Sequence, residues 1–434
     1  MASHGGQMRK NILVIGPALT RSGYGEQTRF ALRSLRSRED LFDVFIIPTN
    51  WGNTGWLADS TEEREWIDHR IKATQERNMQ KLPYDATLQV DVPWAKIQGS
   101  EGDAGFRRIT PHDIGFTAGI ETTKVSPEWL QSVNEMTRLV VVSSHSKQVF
   151  ENTKYEGHDE TGNSMVLKNT TPIEVVGFPA KKTEAEDLEL ELEHDFNFLT
   201  IAQWGPRKNL ENTINWFIEE FRDEPVGLVI KTNLMKNCLM DRNRVFAQLK
   251  SIVQNYGETT CKVYLLHGDM TEEEVAGLYK HPKIKSYVSF SHGEGFGLPI
   301  FDAVCNGMPV VTTAWSGQCD FLAAPRDKKK NSKMRMYFAK VDFNMAPIQQ
   351  EAVWNGILQA DSMWAYPRPG SAKRKMREVY QKYSKHQSMA SRLKRHILKE
   401  FDEETMYQKF IDALGFDFTA EETTPQTTEE VFLL

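Results

Sequence analysis

The chain is expected to be an α/β protein built from two doubly wound parallel-sheet domains that face each other across a cleft. Three observations predict this. At 434 residues the chain is longer than one ordinary hydrophobic core organises. Short, nearly continuous apolar runs alternate with helical patterns, as expected for strands covered on both faces. The alternation also begins twice, on either side of a densely charged stretch.

In the first half NILVIG (Asn11 to Gly16) reads as the first strand. The loop PALTRSGYGEQ follows, then the helical FALRSLRS. FDVFIIP (Phe42 to Pro48), IGFTAG (Ile114 to Gly119), LVVVSS (Leu139 to Ser144) and IEVVGFP (Ile173 to Pro179) are further strands. KKTEAEDLELELEHD, ending at Asp195, reads as a linker containing a solvated helical or extended piece. The pattern then restarts with NFLTIAQW, VGLVIKT, KVYLLHG, SYVSFSHG and PVVTT, each separated from the next by a helix. This sets a first domain at 9–180, a linker at 181–195 and a second domain at 196–385, which would be the acceptor side and the donor side if the chain joins two substrates across the cleft. Helices at 386–418 are expected to pack back toward the first domain, followed by an acidic, Thr-rich, disordered tail at 419–434. MASHGGQ looks like a vector leader, with Met8 as the expected native start. In open α/β sheets ligands bind beyond the carboxyl ends of strands, so two facing sheets should bind across the cleft.

Composition narrows the function. Hydrophobic content of 40% and charged content of 26% are those of a globular protein. A net charge of −6 argues against nucleic-acid binding by bulk charge. Cys238, Cys261, Cys305 and Cys319 form no CxxC pair, which suits reduced thiols and a cytoplasmic protein. No apolar run approaches a membrane span. There is no zinc-ligand spacing, P-loop or Ser-His-Asp order, and no clear DxD metal motif; no metal site is expected.

The most informative stretch is HGEGFGLPIFDAVCNGMPVV, from His292. SYVSFS is a strand, HGEGFG the turn at its carboxyl end, and Pro299 suits the first turn of a helix that Gly307 ends. A helix N-terminus with exposed backbone N–H groups is an anion site, and glycines let backbone approach a ligand. Gly295, Phe296, Gly297 and Leu298 are therefore expected at a bound phosphate. Glu294 should be an exposed carboxylate in the loop, and Asp302 should lie in the first helical turn. Both would repel phosphate, so hydroxyl groups are their natural partners. A ligand with phosphates and two sets of hydroxyls is a nucleotide-sugar. The helix macrodipole alone would also favour an acid at Asp302, and glycine-rich turns are common.

EGFGLPIFDAVCNGMPVV resembles the E-x7-E motif of retaining GT-B glycosyltransferases, family 4 in particular, with Asp302 where those enzymes usually carry the second Glu. The likeness runs through AQWGPRKNLENTINWF, LHGDMTEEEVAGLYKHP and WSGQCDFL and is looser in the first half. It implies a GT-B fold of two Rossmann-like domains and sugar transfer from a nucleotide-diphosphate sugar, a UDP-sugar first, without a metal bridge. It also implies that Glu294 holds the transferred sugar's hydroxyls and Asp302 the ribose. In that family an Arg and a Lys in the QWGPRKN loop stabilise the departing phosphates. Lys208 matches the Lys, Gln203 stands in the usual place of the Arg, and Arg207 is a candidate substitute.

Other candidates are weaker. Gly23 and Gly25 in RSGYGE could approach donor phosphate or acceptor, or form a plain turn. Lys231 is a third cation at a strand end. Glu121 and His112 are acceptor-side candidates. Trp51 and Trp56 could stack on a sugar or base, or simply pack. IGFTAGIETT, AQWGPRKN, WSGQCDFL and MWAYP together resemble glycosyltransferases often carried by tailed bacteriophages, some of which modify DNA bases and others cell-surface polymers. The acceptor is thus a glycan, a small molecule, or hydroxymethylated or hydroxylated DNA. Basic runs from Arg368 to Lys399 and in DKKKNSKMRMY lean to DNA, unless they are solvated faces. A nucleotide-sugar epimerase or a non-catalytic binding module are the alternatives of another class.

Overall fold

A computed structural model describes residues 9–52, 54–58, 60–96, 103–158, 162–327 and 333–418. The leader, the tail and the middle of the DKKKNSKMRMY loop lie outside these residues. The first sheet contains β1 (Lys10–Gly16), β2 (Phe42–Pro48), β3 (Ala86–Val90), β4 (Asp113–Thr117), β5 (Arg138–Val141) and β6 (Ile173–Val175). The second contains β7 (Asn197–Ile201), β8 (Gly227–Lys231), β9 (Lys262–Leu266), β10 (Ile284–Val288), β11 (Val310–Thr313) and β12 (Ala339–Val341). Both are wholly parallel. The spatial order is β2-β1-β3-β4-β5-β6 in the first and β9-β8-β7-β10-β11-β12 in the second. Each order reverses once, between β1 and β3 and between β7 and β10, and crevices open at such points.

The strands form where apolar residues run without interruption. In β1, Ile12 and Val14 are fully buried, and Ile12 is in register with Val44 on one side and Ala86 on the other. Helices α1 (Gly23–Arg36), α2 (Glu62–Met79), α3 (Pro127–Asn134) and α4 (Ser144–Asn152) return the chain in the first domain. In the second, α5 (Leu210–Phe221), α6 (Leu239–Gln254), α7 (Glu272–Lys280) and α8 (Leu298–Cys305) do so. Side chains close the helix starts. The Ser22 hydroxyl accepts from the Gly25 N–H at 2.9 Å, and Thr271 and Glu274 form a reciprocal capping box on α7.

The two sheets share one continuous core. Phe178, just past β6, packs its ring 5.9 Å from Phe30 of α1 and 5.1 Å from Phe296 of the glycine loop. Phe296 in turn meets Phe301 and Phe321. Residues 181–195 run between the domains without helix or strand, in an extended path over α7. There the Glu186 N–H donates to Glu273 O at 3.0 Å, and a Cβ on Gly277 would lie 2.4 Å from Glu186 O. Three helices close the chain: α9 (Pro369–Gln381) on the second domain, α10 (Tyr383–Glu400) over α8, and α11 (Glu403–Ala413) on α1. The ring of Phe410 sits 5.3 Å from Phe30 and 5.1 Å from Phe116.

Several elements escaped the sequence. Among the described residues, strand β3 and four two-stranded antiparallel sheets have too little apolar run to stand out. The first turn of α1 is made of Gly23 to Glu26, which had read as loop. IEVVGFP is strand only to Val175; its remainder dives between the domains as core.

Candidate functional site

At the second reversal point the loops after β7 and β10 meet the loop after β4 of the first domain, and a charged cluster forms there. After β7, Pro206–Lys208 makes one 3₁₀ turn, and Asn209 follows in the left-handed region at φ 54. Asparagine tolerates that conformation. Its amide donates to Phe290 O at 3.1 Å, which pins the turn to the loop after β10. The His292 N–H donates to Arg207 O at 2.9 Å and completes the junction. These bonds aim both cations at Glu294.

Glu294 is 6% exposed, so the exposed carboxylate expected from the glycine turn is a buried one. Lys208 Nζ lies 2.6 and 2.7 Å from its two oxygens, and Arg207 Nη1 lies 3.1 Å from Oε2. Arg207 reaches further: Nη1 donates to Gly293 O at 2.7 Å, and Nη2 meets Glu121 Oε1 of the first domain at 3.2 Å. The sequence suggests Glu121 as an acceptor-side residue; the fold makes it the far end of a Glu294–Arg207–Glu121 bridge across the cleft. Burial works to raise the Glu294 pKa, but Lys208 and then Arg207 overcome it and hold it at about 2. Burial drives Lys208 below its ordinary value despite Glu294 beside it. Burial would also lower Arg207, yet Glu121 and Glu294 raise it. Two cations and two carboxylates at hydrogen-bond distance can accept a diphosphate at one end and sugar hydroxyls at the other.

The glycines of the loop serve chiefly the approach of the two domains. A Cβ on Gly293 would lie 2.3 Å from Glu121 O, and one on Gly295 2.8 Å from Ala118 O. Gly297, at φ 97, turns the chain into α8. The Phe296 ring is turned into the shared core, so it has only its backbone to offer a ligand. In the first domain Gly25 is glycine because its own Thr20 carbonyl would lie 2.1 Å from a Cβ, while Gly23 faces open space.

Asp302 lies beyond the first turn of α8, so the macrodipole does not explain it. It lines a cavity of about 230 Å³ together with Leu298, Glu26, Lys181, Glu272 and Tyr279. Lys181 bridges Glu26 of the first domain at 3.0 Å and Glu272 of the second at 2.8 Å. Burial pushes Asp302 up to about 7, against the pull of Lys181. A carboxyl that holds its proton in the fold but loses it near pH 4 when unfolded favours folding at low pH. That contribution fades as pH rises from about 4 to about 7. Asp302→Asn is therefore expected to flatten the pH dependence of unfolding over this range and to gain on the order of 2–4 kcal/mol over wild type at pH 8, by urea titration.

His112 is not at the site. It precedes β4 at the amino end of the sheet, where Nε2 lies 2.9 Å from Leu414 O and the ring 4.7 Å from Phe416. Strand polarity excludes it: the cleft lies at the carboxyl ends. A histidine that does lie between the domains is His145, whose ring is 5.0 Å from Trp315. Its Nε2 is buried without a hydrogen-bond partner among the described residues. Burial pushes it down to about 4, against the carbonyls of Ile120 and Thr122. Sequence reasoning also missed Ser316, which sits at φ 68 and whose hydroxyl accepts from the Glu294 N–H at 2.8 Å. The SG pair in WSGQCDFL was the signal for that turn. Gln203 donates to Leu234 O at 2.7 Å and Lys231 to Gly268 O at 2.5 Å, outside the cluster. Trp51 stacks on Tyr24 at 4.1 Å, and Trp56 is 49% exposed.

Two parallel six-stranded sheets of this order, facing across a cleft with the charged loops between them, define the GT-B fold class. Solved structures share it. HepE from Anabaena in complex with UDP-glucose superposes with a TM-score of 0.57 at 12% identity, covering 94% of this chain and 99% of that one. Sucrose-phosphate synthase from Thermosynechococcus elongatus gives 0.60 at 10% identity, with 93% and 98% covered. The E. coli trehalose-6-phosphate structure bound with UDP-2-fluoro glucose gives 0.55 at 10%, with 94% and 99% covered. By sequence, no family model and no curated protein matches the chain.

Proposed function

We propose that the protein transfers a sugar from a nucleotide-diphosphate sugar to a hydroxyl acceptor, with retention and without a metal bridging the leaving phosphate. The observation that carries this reading is the Glu294–Lys208–Arg207 cluster at the second reversal point, opposite Glu121. In this reading Lys208 and Arg207 take the diphosphate and meet the charge that develops as the bond to the sugar breaks. Backbone N–H groups of Gly295, Phe296, Gly297 and Leu298 stand at the start of α8 for the same charge. Glu294 keeps the transferred sugar's hydroxyls, and Asp302, in its cavity, takes the ribose. The acceptor oxygen bonds to the sugar on the face the phosphate leaves, and its proton goes to a phosphate oxygen. A UDP-sugar is the first donor to try, since HepE and the trehalose-6-phosphate structure are described with UDP-glucose or its fluoro analogue.

For the acceptor, a glycan or small polyol is favoured over modified DNA. Within the basic stretch that leaned to DNA, Arg377 pairs with Glu220 at 2.7 Å and Glu224 at 2.6 Å, and Lys373 with Glu219 at 2.9 Å. Cations already matched by acids of α5 and of the turn after it are poor phosphate binders. The phage-type DNA reading thus rests on the sequence resemblance. Among the described residues no helix is long and apolar enough to cross a membrane. A cytoplasmic setting remains part of this reading.

The test is nucleotide release from UDP-, GDP-, ADP- and dTDP-sugars, with and without hydroxymethylated duplex DNA. Slow release from one donor, unaffected by DNA, is expected. Release stimulated by DNA would move the acceptor to modified bases. Conversion of the donor sugar without release would indicate an epimerase. Donor binding without turnover would leave a binding module.

A further inference from the structure

Between β12 and α9 the chain leaves the second sheet as an antiparallel hairpin, Phe343–Pro347 with Met363–Pro367. The segment joining its arms, 348–362, reaches the first domain. Ile357, 9% exposed, joins the core cluster of Ile120, Val125 and Trp129. Gly356, at φ 78, is pressed on Trp94, whose ring a Cβ would meet at 2.5 Å. The Thr123 N–H donates to Met363 O at 3.0 Å, and the Met363 N–H to Thr123 Oγ1 at 2.9 Å. Lys124 pairs with Asp361 at 2.6 Å.

The other end of the hairpin holds the charged loops of the second domain. The Ala365 N–H donates to His292 O at 3.0 Å, and His292 Nδ1 lies 2.7 Å from Ala365 O. The His292 ring stacks on Trp364 at 5.0 Å. The turn at Gln350–Ala352 packs on Pro206–Lys208. Both anchor points therefore lie within three residues of a cluster carboxylate, Glu121 on one side and Glu294 on the other.

We propose that 348–363 is a strap whose clasp on Thr123, Lys124 and the Ile120–Trp129 core holds Glu121 against Arg207, making Lys124, Asp361 and Ile357 positioning residues for the cluster. The inference rests on the transferase reading for its consequence in turnover, but not for the clasp itself. If the clasp opens, the 118–124 loop loses its outer support. The Arg207–Glu121 bridge then breaks, and Arg207 is left with Glu294 alone.

Hydrogen exchange of the full chain tests this without a substrate. In Lys124→Ala, amides in 118–124 should exchange about fivefold faster, the scale of one partly exposed ion pair. In Ile357→Ala they should exchange about tenfold faster or more. The acceleration must spread to 291–296, while amides of β1 and β8 stay unchanged. The charge-swapped pair Lys124→Asp with Asp361→Lys should restore slow exchange. With the best donor of the panel, kcat should fall about tenfold in Ile357→Ala with donor KM unchanged. Unchanged exchange at 118–124 would overturn the clasp. Faster exchange confined to 118–124, or unchanged kcat, would overturn the positioning role. Absence of turnover in the wild type would count against the transferase reading and leave the exchange result to decide the strap.

Discussion

Replacing Lys208 with alanine is expected to lower kcat about 10²–10³-fold while leaving donor KM within a few-fold of wild type. The ammonium is largely buried, 2.6 Å from Glu294, where the surroundings make each charge worth more than in water. Its contribution grows as negative charge moves onto the leaving phosphate, so its loss falls on the transition state more than on binding. Arg207 is the poorer substitute, because Glu121 and Gly293 O already claim its donors. Lys208→Arg should recover only part of the loss, since the larger planar guanidinium spreads its charge and does not fit the enclosed place of a compact ammonium. Single-turnover rates with the best donor provide the measurement. A Lys208→Ala variant with wild-type kcat would remove this cluster from the chemistry.

Glu294→Ala should show its largest effect in stability. Breaking a buried ion pair by removing one partner costs about 3–5 kcal/mol, because the other charge is left without compensation. Here two cations would be left, Lys208 alone and Arg207 with Glu121. The pH profile separates this from simple loss of packing. In the wild type the folded Glu294 pKa is about 2 against an ordinary value near 4.5. Its ionised form therefore supports the fold above about pH 4.5, and that support, about 3 kcal/mol, drains away as pH falls from about 4.5 to about 2. The variant has nothing to lose over that interval, so the two urea-unfolding curves should converge toward pH 2 and separate above pH 5. On the alkaline side the gap should narrow again, as the uncompensated Lys208 of the variant gives up its proton. Parallel curves across the whole range would mean that the pair contributes no linkage.

Much of the site was legible because its signals are local. A glycine turn at a strand end with a lone acid, and adjacent Arg and Lys after another strand, are patterns that neighbouring residues impose on one another. What misled was burial. Glu294 looked exposed because its flanking glycines carry no apolar surface, yet Gly293 and Gly295 are small so that the opposite domain can close onto them. His112 had the right chemistry in a polar loop, but at the amino end of its strand. Strand β3, squeezed between β1 and β4, carries a Gln and a Thr that hydrogen bonds satisfy, and so never reads as an apolar run.

Residues close along the chain specify the two-sheet α/β architecture, the position of the glycine loop, and the identity of the candidate cations and acids. Strand and turn preferences depend on residues close along the chain. Packing between distant segments is what makes Glu121 close the Arg207 bridge, turns Asp302 toward a cavity with Lys181, and carries 348–362 across the cleft. Those contacts join residues tens to hundreds of positions apart. No periodicity encodes them, because they follow from how the two folded sheets pack around Phe178 and its aromatic neighbours.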